Sequence, residues 1–560
     1  MLTQSTLSLR CEQSEARGTF RFNGVLSEQR GLQLPGRLSI WFPGDKKTGM
    51  PSGRSKVVTG RIETLVNLSV NIALRFIRLS TIRLSDSMQR PAVPEMAQDS
   101  ESSPGLSMCQ HPASMSIPPD TTARFGLTTM TCVVIAGMIG SGIFTTSGFA
   151  LADLQSPARV LFAWSIGGVI ALSGAVAYGE LARRLPQSGG EYLYLSKLVH
   201  PFVGFLAGWI SLTVGFSGSI ALVALTFEEY VVPAEIRASS LPQGSAAIAV
   251  IAVFGLGHAF LVKLFASLQN AIVGIKLFAL ISFLVIAASK VSTHTWHWEP
   301  VAEPLPPLLT WPTLLAMSTS VMFISLSYAG FNSAIYAASE VSSPDRTIPR
   351  SLILGTVLVT VFYLLLNIVF LTATPATEIL ASPRVASIAA KAIGGPSLEL
   401  LIRIAIGLGT LTSVAGMIMV GPRVISRMAD DGVFFAAFRT RPGSISRSVL
   451  LQASLAAALV LVSNIKDLLG FLGATLSLSS AITVGTLLIP LRNGSPGDNG
   501  AALRPSMISL TAATFYLLST LILIAMMLRH DWHDLIRTAT TLGTGVVVWL
   551  AMTAYRSRQT

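Results

Sequence analysis

From Phe125 to Tyr555 the chain alternates long apolar runs with short polar connections. Reading uninterrupted apolar stretches of about 18 residues or more as membrane-crossing helices gives about twelve. They fall near 126–150, 158–182, 198–227, 245–262, 266–289, 311–339, 350–373, 397–425, 447–464, 467–490, 506–528 and 535–555. Two of the twelve carry their own breaking points. The stretch GMIGSGIFTTSG at 137–148 sets Gly140, Ser141 and Gly142 inside the first run, and FISLSYAGFNSAIYAASE at 323–340 sets Ser327, Ala329 and Gly330 inside the sixth. Glycine inside a helix costs about 0.5–1 kcal/mol relative to alanine, and hydrocarbon offers no water to freed backbone groups. Something else must occupy each break.

Five spans separate the two breaks, and an odd number inverts the second half of the chain relative to the first. Spans one to five (125–290) and six to ten (311–491) can therefore form inverted repeats, with spans eleven and twelve (503–555) outside them. The predicted fold is an all-α membrane protein of this 5+5 kind. Interrupted helices at corresponding positions of two halves point to a transporter's substrate site. With span one running outward, its second half presents the N–H groups of Ser141, Gly142 and Ile143, which suit a carboxylate. The first halves of spans one and six end near Met138 and near Leu326 and Ser327, and their carbonyls suit an ammonium. One midplane cavity offering both is built for a zwitterion. Glycines spaced this way also let helices pack closely, but two matched breaks favour a site.

Composition supports the membrane reading: 51% of the 560 residues are hydrophobic and 12% charged, with a mean hydropathy of +0.61. Arg183, Arg184, Lys197, Arg346, Arg350, Arg427, Arg439, Arg441 and Arg447 crowd one set of connections, whereas the other set holds Arg237, Lys290, Arg384, Lys391, Lys466, Arg529 and Arg537. The asymmetry puts both termini in the cytoplasm of a cell-membrane protein. It also accounts for much of the net charge of +12 without nucleic-acid binding. Of the three cysteines, Cys11 and Cys109 precede the spans and Cys132 lies within the first, so no disulfide-linked accessory subunit is expected. Residues 1–124 read as a cytoplasmic extension with no crossing segment. The stretch at 61–80 is at best amphipathic, suiting a membrane surface or a disordered leader; alternatively, translation starts at Met96 or Met115.

Four stretches carry a resemblance: GMIGSGIF in span one, AVAYGELARRLPQSGGEYLYL at 175–195, SYAGFNSAIYAASEVSSPDRTIPRS at 327–351 and GPRVISRMADDGVF at 421–434. In order and spacing they resemble the amino acid-polyamine-organocation superfamily, and within it the L-type amino acid transporters. The resemblance implies the LeuT-type fold, alternating access, and an amino acid held by its main-chain groups at the two breaks. Its carboxylate would meet Ser141 and Gly142, with Ile139 and Gly140 shaping the turn, and its amine the carbonyls around Met138, Leu326 and Ser327. Where many relatives place an aromatic gate just before the second break, this chain has Leu326, and Phe331 follows the break. Lys276 lies near the middle of span five, where a charge costs about 2.5–3.5 kcal/mol on insertion scales. It is similar to a family lysine whose ammonium takes the place of sodium, bridging span-one carbonyls to span-eight hydroxyls, here Thr410, Thr412 and Ser413. On that basis transport needs no sodium, and Lys276 either senses protons or acts as a fixed tether.

Glu180, Arg183 and Glu191 at the inner mouth are candidates for a gate. Glu399 and Arg403, four apart, suggest an ion pair on one helix. No ligand cluster indicates a metal, no cofactor motif occurs, and no nucleophile–base arrangement suggests an enzyme. The function expected is secondary amino acid transport, as exchanger or proton-coupled symporter. The alternative is a non-transporting amino acid sensor of the same fold.

Overall fold

A computed structural model describes residues 125–233, 236, 242–260, 262–301, 303–440, 444–489, 505–530 and 532–557, together with 10–14 and 19–23. The chain divides into two units, 1–104 and 105–560. In the first unit, β1 (Arg10–Ser14) pairs antiparallel with β2 (Thr19–Asn23), Arg10 opposite Asn23, an element the hydropathy pattern did not announce. The expectations for the stretch at 61–80 and for the start of translation lie outside the described residues.

Each of the twelve apolar runs of the second unit coincides with helix. The first is split into α1 (Leu127–Met138) and α2 (Gly142–Leu154), bent by 44° at the break. Then follow α3 (Pro157–Arg184), a short α4 (Gly190–Leu198), α5 (Pro201–Val231), α6 (Ser245–Phe260) and α7 (Val262–Ser289). The sixth run is α8 (Trp311–Tyr328), the break, and a 3-10 segment Ser333–Glu340. The rest comprises α9 (Pro344–Thr372), a single turn α10 (Ala376–Ile379), α11 (Val385–Asp430), α12 (Ser444–Val462), α13 (Ile465–Gly485), α14 (Met507–His530) and α15 (Trp532–Ser557). Eight of the described helices are long and apolar enough to cross a bilayer, nine with the bent pair; Ser245–Phe260 and Gly274–Ser289 are apolar but shorter. The second unit is thus the multi-span, all-α membrane bundle expected, with the first of its spans broken and bent.

Local chemistry sets the irregularities. The ring of Pro201 opens α5, where its missing N–H costs nothing, and His200 Nδ1 accepts from the N–H of Phe202 at 3.2 Å. Within α5, residues Ser211–Gly218 widen into a π-helix. The run predicted at 397–425 is the main part of α11, which begins twelve residues earlier and breaks at Gly394 and Gly395, the latter at φ +67°. Close approach of helices depends on small residues, as membrane packing requires. A Cβ on Gly168 of α3 would lie 2.5 Å from Thr360 of α9, and one on Gly355 of α9 2.6 Å from Val134 of α1. These contacts hold α1, α3, α8 and α9 in one buried group around the two breaks.

Candidate substrate site

The breaks face each other. A Cβ on Gly142, the first residue of α2, would lie 2.3 Å from Ser327 Oγ on α8, and one on Gly330 2.5 Å from the Gly137 carbonyl. Gly330 has φ +99°, a conformation that costs a side-chain-bearing residue about 1–3 kcal/mol. Thr146 Oγ1 and Ser327 Oγ share a hydrogen bond of 3.2 Å across the junction. The first break falls where the sequence put it. The second begins later than expected: α8 continues through Ser327 to Tyr328, and Leu326 lies in its last turn, its carbonyl accepting from the N–H of Ala329 at 3.0 Å.

On the donor side, Ser141 caps α2 without a side-chain bond, and Ser141 and Ile143 are buried. The N–H groups of Ser141, Gly142 and Ile143 precede the helix's own bonding and meet no protein acceptor among the described residues. They converge as a positive helix end. On the acceptor side the carbonyls already have a protein donor. Tyr363 of α9, fully buried, places its hydroxyl 2.6 Å from the Met138 carbonyl and 3.1 Å from the Ser327 carbonyl. A single O–H shared between two carbonyls leaves each with accepting capacity. Sequence reasoning missed Tyr363. Its only signal was a tyrosine, with Asn367 one turn on, inside the otherwise apolar YLLLNIVF.

A polar chain through the core ends on the backbone of Tyr363. Asn367 Nδ2 donates to the Tyr363 carbonyl at 2.9 Å, Ser147 donates to Asn367 Oδ1, and Trp164 Nε1 donates to Ser147 Oγ at 3.1 Å. Trp164, Tyr328 and Tyr363 pack edge to face around it, with centroids 5.3–5.8 Å apart.

Lys276 is 1% exposed, and its Nζ donates to the Ile139 carbonyl at 2.8 Å. The carbonyl of the turn at the first break is thus held by span five. On span eight the lysine meets backbone: a Cβ on Gly409 would lie 2.7 Å from Lys276 Cδ. The three hydroxyls expected there bond within their own helix, Thr410 to the carbonyls of Ile406 and Gly407, Thr412 and Ser413 to that of Gly409, at 2.8–3.0 Å. Hydroxyls in an apolar helix satisfy themselves on the preceding turn when nothing stronger reaches them.

Leu326, partly buried, packs into a second apolar cluster with Phe149, Met417 and Leu476. Phe331 turns the other way, edge-on to Tyr178 at 5.5 Å and near Tyr516 at 6.3 Å.

The three gate candidates separate into two groups. Glu180 accepts from Arg183 at 3.1 Å and Ser509 of α14 at 3.3 Å and lies 3.5 Å from Arg184. Glu191 is bound to Tyr178, Ser479 and Ser480. The ion pair expected between Glu399 and Arg403 does not form. Arg403 instead donates to the carbonyls of Tyr230 and Val231 at the end of α5, at 2.8 and 3.4 Å, and Glu399 accepts from Ser387 at 2.9 Å. The orphan carbonyls of a helix end are the better partner for a guanidinium, with its several donors.

Paired broken helices meeting with their polar ends in the middle of a multi-span bundle define a membrane carrier. The family model for amino acid permeases matches residues 125–552, and the chain belongs to that family. It is similar to Asc-type amino acid transporter 1 of Mus musculus, 26% identical over 403 residues, 70% of this chain and 74% of the relative. Large neutral amino acids transporter small subunit 2 of Rattus norvegicus is 26% identical with the same coverage. The b(0,+)-type amino acid transporter 1 of Mus musculus is 32% identical over 276 residues, 47% of this chain and 53% of the relative.

Proposed function

We propose that this permease carries a zwitterionic amino acid across the cell membrane by alternating access, independently of sodium, as an exchanger or a proton symporter. One observation carries the reading: the unpaired N–H groups of Ser141, Gly142 and Ile143 open onto the same junction as the Met138 and Ser327 carbonyls. Donors there receive the carboxylate, and the carbonyls, with the remaining capacity Tyr363 leaves them, receive the amine. Ile139 and Gly140 form the turn, and Ala329 and Gly330 the opposite wall. The apolar surroundings of Leu326 favour an uncharged substrate side chain.

Lys276 supports sodium independence, because its ammonium supplies the fixed positive charge at the turn. As a tether it keeps Ile139 in place throughout the cycle; as a proton carrier it would release it. Both termini are assigned to the cytoplasm from the Lys and Arg distribution. One relative is named a small subunit, but with Cys132 the only cysteine after residue 109, any partner of this chain would bind without a disulfide from the outer loops.

The test is uptake of a labelled amino acid mixture into proteoliposomes. Vesicles preloaded with unlabelled amino acids are compared with empty ones under an inward proton gradient. Uptake only on preloading establishes exchange, and uptake driven by the gradient establishes symport. Binding without uptake in either would overturn the carrier reading.

A further inference from the structure

The short helix α4, which no hydropathy run predicted, touches three separate parts of the bundle. Three consecutive residues make the contacts. Gly190 has φ +60°, and a Cβ there would lie 2.2 Å from the ring of Tyr336, in the 3-10 segment beyond the second break. Glu191, 7% exposed, accepts from the hydroxyls of Tyr178 on α3 and of Ser479 and Ser480 on α13. Tyr192 donates to Asp431 Oδ2 at 2.7 Å, at the end of α11, where Arg427 Nε also donates at 3.2 Å. Burial and Asp431 push the Tyr192 phenol above its ordinary range, so it stays a donor.

Glu191 stands out chemically. A buried carboxylate ordinarily takes a cation as partner, yet among the described residues its bonds come from three neutral hydroxyls, while nearby Arg183 and Arg184 are engaged by Glu180. Hydrogen bonds to an ionised acceptor are about twice as strong as neutral ones. When these bonds part, no partner cation is left buried, and water can take the place of each hydroxyl. Such a set can close firmly and still open.

Beside the clasp, α1 and the 3-10 segment are tied to each other. The N–H of Phe125, just before α1, donates to the Glu340 carbonyl at 2.9 Å, and Ser333 Oγ donates to the Val133 carbonyl at 3.2 Å. The near halves of both broken helices are therefore zipped together, and Tyr336 rests on Gly190 at their edge.

We propose that Glu191 is a positioning residue for the transport cycle. By joining α3 to α13 through Tyr178, Ser479 and Ser480, it holds the α4 face of the carrier closed and sets the balance between the two access states. This rests on the alternating-access reading above. Weakening the clasp shifts the population toward the state open on the α4 face, so the apparent KM falls on that face and rises on the opposite one.

The experiment uses Glu191→Gln and the double variant Ser479→Ala/Ser480→Ala in the full chain, reconstituted with known orientation. KM is measured from each face, with substrate identified by the uptake assay. In parallel, a chain with Cys11, Cys109 and Cys132 changed to Ser carries Asn332→Cys, and its modification by a membrane-impermeant thiol reagent is timed from the α4 face. KM shifts of about threefold or more in opposite directions, with faster labelling, are expected. Equal shifts on both faces, or unchanged KM and labelling, overturn the proposal. Labelling needs no transport, so faster labelling in a chain that moves no amino acid would fault the carrier reading and leave the clasp standing. Should Glu191→Gln not fold, the double-serine variant, which keeps the carboxylate, decides by the same readings.

Discussion

At the scale of single residues, the break glycines and Tyr363 differ in how they reveal themselves. Gly142 and Gly330 are legible because only a residue without a Cβ tolerates a neighbour at 2.3–2.5 Å, and glycine in a membrane helix is conspicuous. Tyr363 is not, because an aromatic residue in an apolar run reads as core, and the carbonyls that make it polar come from 36 and 225 residues away. Tyr363→Phe removes one buried O–H and leaves the Ser327 carbonyl without its donor, a change worth about 1 kcal/mol in stability. Tm in detergent is therefore expected to fall by only a few degrees. Transport should fall much further, at least about tenfold, since an error of an ångström in the two carbonyls misplaces the amine. A Tyr363→Phe protein with wild-type uptake would show that the hydroxyl merely fills space.

At the scale of elements, period and length placed all twelve apolar runs, because a helix in lipid must be apolar along most of its length. What they could not place were elements fixed by tertiary partners: α4, the π-helix within α5, and the early start of α11. The misread pair of Glu399 and Arg403 has the same origin, since spacing shows which side chains can meet but not that a helix end competes for one of them. Glu228 of α5 is a comparable case. It is 4% exposed and accepts from the N–H groups of Gly244 and Ala247 at 2.8 and 3.0 Å, so a carboxylate on one span caps the start of the next, α6. An anion at a helix N-terminus is favourable on two counts, hydrogen bonding and dipole. Glu228→Ala should cost about 1–3 kcal/mol, while Glu228→Gln, which keeps one acceptor, should cost less. Thermal unfolding of the purified variants orders them; equal Tm values for Ala and wild type would remove the cap from the account.

At the scale of the whole molecule, what decides the energetics of transport is how the charge at the first break is balanced. On the proposed reading, a carboxylate bound at Ser141, Gly142 and Ile143 needs compensating positive charge in a low dielectric. The helix end supplies part of it, and the Lys276 ammonium, 2.8 Å from the Ile139 carbonyl, is covalently fixed beside it. A mobile cation would have to share that carbonyl with an ammonium already bonded there. Uptake should therefore be the same, within error, when choline replaces sodium on both sides of the membrane. Lys276→Met, which keeps the length and apolar stem, should lose most of its uptake under either salt. The informative outcome is partial recovery of Lys276→Met in sodium alone, which would mean that the lysine occupies a site whose carbonyl geometry still accepts a metal ion. Sodium-dependent uptake by the unaltered protein would instead show that the ammonium does not neutralise the break, and would overturn sodium independence itself.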